Sequence, residues 1–411
     1  MSATPFLSSV SLVWPFGFAY ALSYGLRTIS AVLAPELERD LGLSAAELGF
    51  LASAYFLSFA LMQVPIGLLL DRQNPVRLER TLLLVALLGC LISALSTSFW
   101  SLWVGRSMIG IGVSACLMAA YKAFRLEFSP RLQAPLASVM LVLGSAGALA
   151  STLPVNWLLI ALPWNGVFGL LAVLFGLAWW MLRPLQAHFD RAEHRALRTQ
   201  EGLTRSATAL LQIVSNRAFG RLIPYAVLSY GGFLALHGLW LGPWLTQVEG
   251  ASASQAASGL FWLTAVIMIG HLGWAALTRL AAESGFTLDQ LMQAGLAAFA
   301  LLSLLAGLAF WGSPMVGWSL AFLAAGSTTL GYSLVALSFP IELSARATTA
   351  FNFLVFAGAF VMQWGMGIVV DLALWTGKTA SEGLQWAILL WVAGQLLALV
   401  WLRLRPAQPL P

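Results

Sequence analysis

Three side chains near the start of the chain, Tyr20, Tyr24 and Arg27, are spaced four and three residues apart, so on a helix they share one face. A guanidinium presents a planar fork of donors that matches a carboxylate or phosphate, and neighbouring phenol hydroxyls add hydrogen bonds. The chemistry this face supports is capture of an anion. The surrounding run is apolar, and an arginine placed within a membrane costs about 2.5–3.5 kcal/mol on insertion scales, which marks it as functional. In the second half, His237 is followed by Trp240 and Trp244 at three and seven residues. Histidine changes charge near neutral pH and suits proton transfer; His271 is a second coupling candidate. Tyr332 and Asn352 are polar side chains within apolar runs, suited to lining a cavity or to bonding between helices. The residues expected to bind substrate are therefore Arg27, Tyr24, Tyr20, His237, Trp240, Tyr332 and Asn352.

The elements that must position them are read from composition and hydropathy. Of 411 residues, 60% are hydrophobic and 9% charged, whereas soluble domains carry about 25% charged residues. A water-facing surface cannot be built from this chain. About 20 apolar residues cross a bilayer as a helix, and twelve such stretches are expected: 11–36, 47–70, 80–97, 100–124, 133–160 and 163–183, then 219–246, 254–280, 287–311, 314–340, 347–370 and 383–403. The first lacks a basic leader and runs long, so it is read as a retained helix rather than a cleaved signal. Gly242-Pro243 predicts a bend in the seventh. No Asp or Glu falls mid-span; the nearest, Glu36, Asp71, Glu127, Glu342 and Asp371, lie near span ends.

Lys and Arg mark the cytoplasmic side of short loops. With both termini in the cytoplasm, 17 of the 21 Lys and Arg lie on that side, Arg39 and Lys378 lie outside, and Arg27 and Arg106 fall within spans. The net charge of +5 is thus spread over loops, not gathered into a nucleic-acid stripe. The organisation expected is an N-terminal six-helix bundle (1–183), a polar cytoplasmic linker (184–216) and a C-terminal six-helix bundle (217–411). A repeat supports the two halves: Glu127-x-Ser129-x-Arg131 recurs as Glu342-x-Ser344-x-Arg346, 215 residues later. Repeated halves are typical of transporters that bind solute at the repeat interface. Cys90 and Cys116 sit in apolar runs and indicate no disulfide or metal site. No P-loop, catalytic triad or cofactor motif is present, so no catalytic, metal or cofactor residues are expected.

Gly67-Leu-Leu-Leu-Asp71-Arg72, between the second and third spans, and Leu102-x-x-x-Arg106-x-x-x-Gly110-x-Gly112 in the fourth resemble signature motifs of the major facilitator superfamily, and the resemblance covers the whole chain. It departs from the family after Arg72, where Asn74-Pro75-Val76 replaces the usual glycine and basic residues. The second-half loop Trp274-Ala-Ala-Leu-Thr278-Arg279 lacks the aspartate. The fifth span carries Gly144-Ser-Ala-Gly147 in place of the glycine-proline motif of drug/proton antiporters. Tyr24-Gly-Leu-Arg27, followed by Leu33-Ala-Pro35, is similar to the first helix of the organic-anion and organophosphate branches, where the matching arginine binds the substrate anion. The resemblance implies an all-α membrane fold of two pseudo-symmetric six-helix bundles and alternating access by rocking of the halves. Asp71 and Arg72 are then expected to latch the cytoplasmic side, with Arg106, Glu127, Arg131, Glu342 and Arg346 as the other gating residues.

The expected function is secondary transport of a small organic anion across a bacterial inner membrane, by a monomer, with a proton as a coupling candidate. The alternatives are movement of an amphipathic, aromatic or siderophore-like compound, and a non-transporting membrane receptor. The glycines Gly110, Gly112, Gly144 and Gly147 are expected to mark close helix contacts.

Overall fold

The computed structural model describes residues 6–196, 211–310 and 312–405, and of residues 6–10, 71, 191–196, 341 and 342 the backbone alone. The side chains of Asp71 and Glu342, two expected gating residues, lie outside what is described.

All regular structure in the described residues is helical. In the first half the helices are α1 (Phe6–Gly25), α2 (Ile29–Leu41), α3 (Ala45–Arg72), α4 (Pro75–Ala94), α5 (Phe99–Gly112), α6 (Cys116–Glu127), α7 (Pro130–Ala150), α8 (Leu153–Ala161), α9 (Trp164–Met181) and α10 (Arg183–Ala196). In the second they are α11 (Arg217–Val248), α12 (Ala253–Glu283), α13 (Leu288–Gly307), α14 (Pro314–Leu337), α15 (Ile341–Trp375) and α16 (Ala380–Leu404). Among the described residues, ten helical stretches are long and apolar enough to cross a membrane. The other two of the twelve expected spans, the first and the third, fall on the α1–α2 pair and on α4, which are not among these ten.

Helix starts follow local chemistry. Ser252 with Gln255, Thr287 with Gln290, and Thr379 with Glu382 form capping boxes that begin α12, α13 and α16. Asn74 accepts bonds from the amides of Val76 and Arg77 ahead of Pro75, fixing the start of α4.

Several spans are interrupted within the apolar run. The first breaks at Leu26–Thr28, between α1 and α2, the fourth at Val113–Ala115 and the fifth at Ser151–Thr152. The seventh, α11, contains π-helical segments at Tyr225–Gly231, Leu236–Trp240 and Trp244–Val248, the last directly after Pro243. The tenth passes through a 3-10 turn at Gly326–Thr329. Such irregularities gather at functional sites, because backbone freed from the ladder must find other partners.

The expected glycine contacts are present. A Cβ at Gly110 or Gly112 would run into the backbone of Tyr55 or Ala86; one at Gly144 would meet the Tyr20 ring, and one at Gly147 the carbonyl oxygen of Ala21. Small residues here let α1 and α7 approach closely, and the Thr28 and Ser151 hydroxyls bond across at 2.6 Å. In the second half, Gly231 and Gly358 bring α11 against α15 in the same manner. Gly147→Leu is expected to part α1 from α7 at a cost of about 1–3 kcal/mol, read as a lower melting temperature in detergent. Gly365→Ala, where the added methyl meets open space, should leave it unchanged.

Packing divides the chain into two compact units, Met1–Ser30 with Ala54–Glu201, and Ala31–Ser53 with Gly202–Pro411. The division falls inside the polar stretch between the halves, but it also groups segment 31–53 of the first half with the second-half helices. Within that second unit, Gly242 abuts Ala31, Gly49 lies against the backbone of Gln363, and Gly367 against Ala45.

Candidate functional site

In the first unit, the break after Gly25 places Arg27 where the helical ladder is open: its amide bonds to the Tyr24 carbonyl at 3.2 Å, and that of Thr28 to Gly25 at 3.1 Å. The guanidinium lies over the Tyr24 ring (4.7 Å) and the Phe59 ring (5.2 Å) and bonds to Tyr55. Tyr20 stands edge-on to Tyr24 at 5.8 Å. The structure therefore brings together Arg27, Tyr24 and Tyr20 as the spacing predicted, and adds Tyr55 and Phe59 from α3. Tyr55 is buried and donates to the Ser23 carbonyl at 3.0 Å. A phenol in mid-span needs a partner; that requirement was its signal in the sequence. Rings facing the guanidinium stabilise it by cation–π attraction, about 0.5–2 kcal/mol each depending on desolvation. Arg106, on α5, is buried and interacts electrostatically with Tyr55 and Cys90.

In the second unit, Tyr332 donates to the Asn352 side-chain oxygen, and Tyr230 packs on Tyr332 at 5.9 Å. From there an aromatic ladder runs along α11: Tyr230 to Phe233 (6.4 Å), then Phe233 stacked on His237 (5.9 Å, 5°). His237 is buried and bonded through Nε2 to the Thr264 hydroxyl at 3.0 Å. His271, on the same helix as Thr264, is close enough to act on His237 electrostatically. The Trp240 indole donates to the Gln363 carbonyl at 2.8 Å. Tyr230 and Thr264 were not among the expected site residues.

The carboxylates read as lying near span ends omit one. Glu79, which the predicted span 80–97 excludes, lies in the second turn of α4 and is 0% exposed. The helix starts five residues before the predicted span because Asn74 and Pro75 cap it there.

At the arginine-rich end of the first unit, α10 packs back on the helices before it. Asp190 bonds to Arg77 (3.0 Å) and Asn74 (2.7 Å), Gln186 accepts from Arg80, and His188 meets Glu127 at 2.8 Å. Lys122 caps the end of α3 through the carbonyls of Leu70 and Gln73, as the dipole there favours. Arg72 and Arg131 are exposed, and in the second unit Arg346 is half-buried on α15. A groove of about 650 Å³ lined by Trp14, Pro15, Trp180, Met181 and Arg183 lies beside this end and holds none of the expected binding residues.

Within the second unit, the Asp371 carboxylate accepts from the Ser44 hydroxyl (2.8 Å) and the amides of Ala45 (3.0 Å) and Ala46 (2.9 Å), capping α3 from α15. Burial, and then the nearby Asp371 charge, push Glu38, beyond the first span, up from 4.5 to about 7. The folded protein therefore binds a proton more tightly than the unfolded chain between those values. Its contribution to stability is fully present below about pH 4.5 and is lost as pH rises through about 7. Solvent screening at this half-buried site holds it to about 1–2 kcal/mol. The melting temperature should fall across that window, and Glu38→Gln should flatten the profile.

Helices of this length and hydropathy, several interrupted within the apolar run, mark a multi-pass membrane protein. The chain belongs to the Major Facilitator Superfamily, whose family model matches residues 16–363. It is 26% identical over 271 residues to the uncharacterized transporter YybO of Bacillus subtilis (strain 168), covering 62% of this chain and 61% of that one. It is 26% identical over 251 residues to the hexuronate transporter of Escherichia coli (strain K12), covering 57% of each. The chain thus spans about three-fifths of the length of these curated relatives. Its fold is similar to the crystal structure of a bacterial homologue of the human lysosomal transporter Spinster in an inward-facing, occupied conformation. The TM-score there is 0.78 at 18% identity, over 98% of this chain and 97% of that one.

Proposed function

We propose that the protein is a secondary transporter of a small organic anion, a sugar acid such as a hexuronate, that binds through its carboxylate to Arg27. The observation that carries this reading is the guanidinium at the open turn of the first span, framed by Tyr24, Tyr55 and Phe59. A fixed arginine fork with adjacent phenols matches a carboxylate bearing hydroxyls. The hexuronate transporter among its relatives supports the substrate class. The reading assigns the complementary contacts to the second-half residues Tyr332, Asn352, Trp240 and His237. It places the arginine-rich loops and both termini in the cytoplasm of a bacterial inner-membrane protein, with the bundles at 1–183 and 217–411. Transport proceeds by alternating access, with Asp71, Arg72 and the two Glu-x-Ser-x-Arg segments as gating elements.

The test is thermal stabilisation of purified protein by glucuronate and galacturonate against their neutral parent sugars, since a ligand that binds only the folded state raises its stability by mass action. The acids should raise the melting temperature of the wild type and leave that of Arg27→Ala unmoved. Equal shifts from acids and neutral sugars would overturn the anion assignment.

A further inference from the structure

Of the described Asp and Glu residues, Glu79 alone is buried. Neither carboxylate oxygen meets a hydrogen-bond donor at ordinary distance among the described residues. Burying an unpaired carboxylate is far costlier than burying the neutral acid, so such a group is retained where its proton has a use.

The helices packed on α4 are α5, α6, α9 and α10. From α5 comes Arg106, which acts with Tyr55 and Cys90. The described part of α10 brings Arg183, His188 and Asp190; Asp190 is engaged by Arg77 and Asn74, and His188 by Glu127. Helix α9 carries no titratable side chain. Helix α6 brings Cys116, Tyr121, Lys122, Arg125 and Glu127, and on α4 itself Arg77 and Arg80 turn to α10. The group that acts on Glu79 is the Cys116 thiol. Cys116, at the break in the fourth span, also interacts electrostatically with Arg27, so one thiol stands in the fields of both the carboxyl group and the cation.

We propose that Glu79 is a proton-binding site of the transport cycle, coupled to the anion site at Arg27. The inference rests on the anion-transport reading above. Proton uptake turns the carboxylate into the neutral acid, and release returns the proton to water on the side then open. An ionised Glu79 adds a buried negative charge to the unit that holds Arg27, which opposes entry of the substrate anion, whereas a protonated one does not. Proton and anion binding therefore favour one another, and by linkage each raises the affinity for the other by the same factor.

The test uses the full chain in liposomes with labelled glucuronate, and the detergent-purified protein for infrared spectroscopy. With a one-unit inward pH gradient the wild type should accumulate glucuronate up to about tenfold. Glu79→Gln should retain glucuronate counterflow yet accumulate none, and Glu79→Asp should recover part of the accumulation. Gradient-driven accumulation by Glu79→Gln at the wild-type level would overturn the proposal. If the wild type carries no glucuronate, that substrate class fails by itself, and the infrared titration decides on Glu79. A carboxylic-acid carbonyl band that titrates in the wild type and is missing from Glu79→Gln upholds the proton site. A band unchanged by the substitution, or absent from both, overturns it.

Discussion

On the proposed reading, Arg27→Ala is expected to lower kcat/KM for the transported anion by about 30-fold to several thousandfold, the equivalent of about 2–5 kcal/mol for truncating one partner of a desolvated charge pair. The loss exceeds that of an ordinary polar contact because the substrate carboxylate, once moved out of water, would have no cation to meet. The protein itself should insert and fold, since the guanidinium packs on the Tyr24 and Phe59 rings, and an alanine there leaves those rings to close on one another. Arg27→Lys retains the charge but not the planar fork, and should fall between the wild type and the alanine variant. Uptake in liposomes, beside a size-exclusion profile for folding, measures both. Full transport by Arg27→Ala would remove the anion site from the first span.

The largest stability effect is expected at Arg221 and Asp289. Their side chains, 6% and 14% exposed, form a two-bond fork at 2.6 and 2.9 Å between the starts of α11 and α13. Arg221 also donates to the carbonyls of Leu402, at 3.2 Å, and Arg405 at the end of α16. Three helix ends are thereby held by one guanidinium. Arg221→Ala or Asp289→Ala leaves the other charge buried and unpaired, costing about 3–5 kcal/mol. Replacing both, as Arg221→Met with Asp289→Leu, should recover most of that loss, because no orphan charge remains and desolvation is no longer required. The midpoint of denaturant unfolding in detergent reads all three variants. Single variants as stable as the wild type would show the pair to be dispensable.

Segment 31–53 bears on how such a protein works. Asp371 holds the start of α3 through three bonds, and Gly367 and Gly49 allow backbone contact between that segment and α15. In the alternating-access reading these contacts must break and re-form in each cycle. Small residues and a carboxylate on a helix N-terminus suit that use: they fit closely, yet require no deep side-chain interlock to be undone.

Much of this was legible in one dimension. Ten of the helices declare themselves through contiguous apolar runs, Arg27 stands out because a charge in such a run is costly, and the glycines of the fourth and fifth spans mark close contacts. Hydropathy sums over neighbours in the chain, and the membrane imposes the same requirement on each window, so no knowledge of packing was needed. Tertiary structure alone decided the partners. Tyr55 reaches Arg27 because α3 lies beside the break in the first span. Glu79 is buried only because α4 begins at Asn74-Pro75 and packs against α6, whereas a window average reads it as the polar end of a loop. Arg221 looked like one of many loop arginines until Asp289, 68 residues away, closed on it. Burial and pairing depend on which helix faces meet, and that is settled by packing over distances the local sequence does not encode.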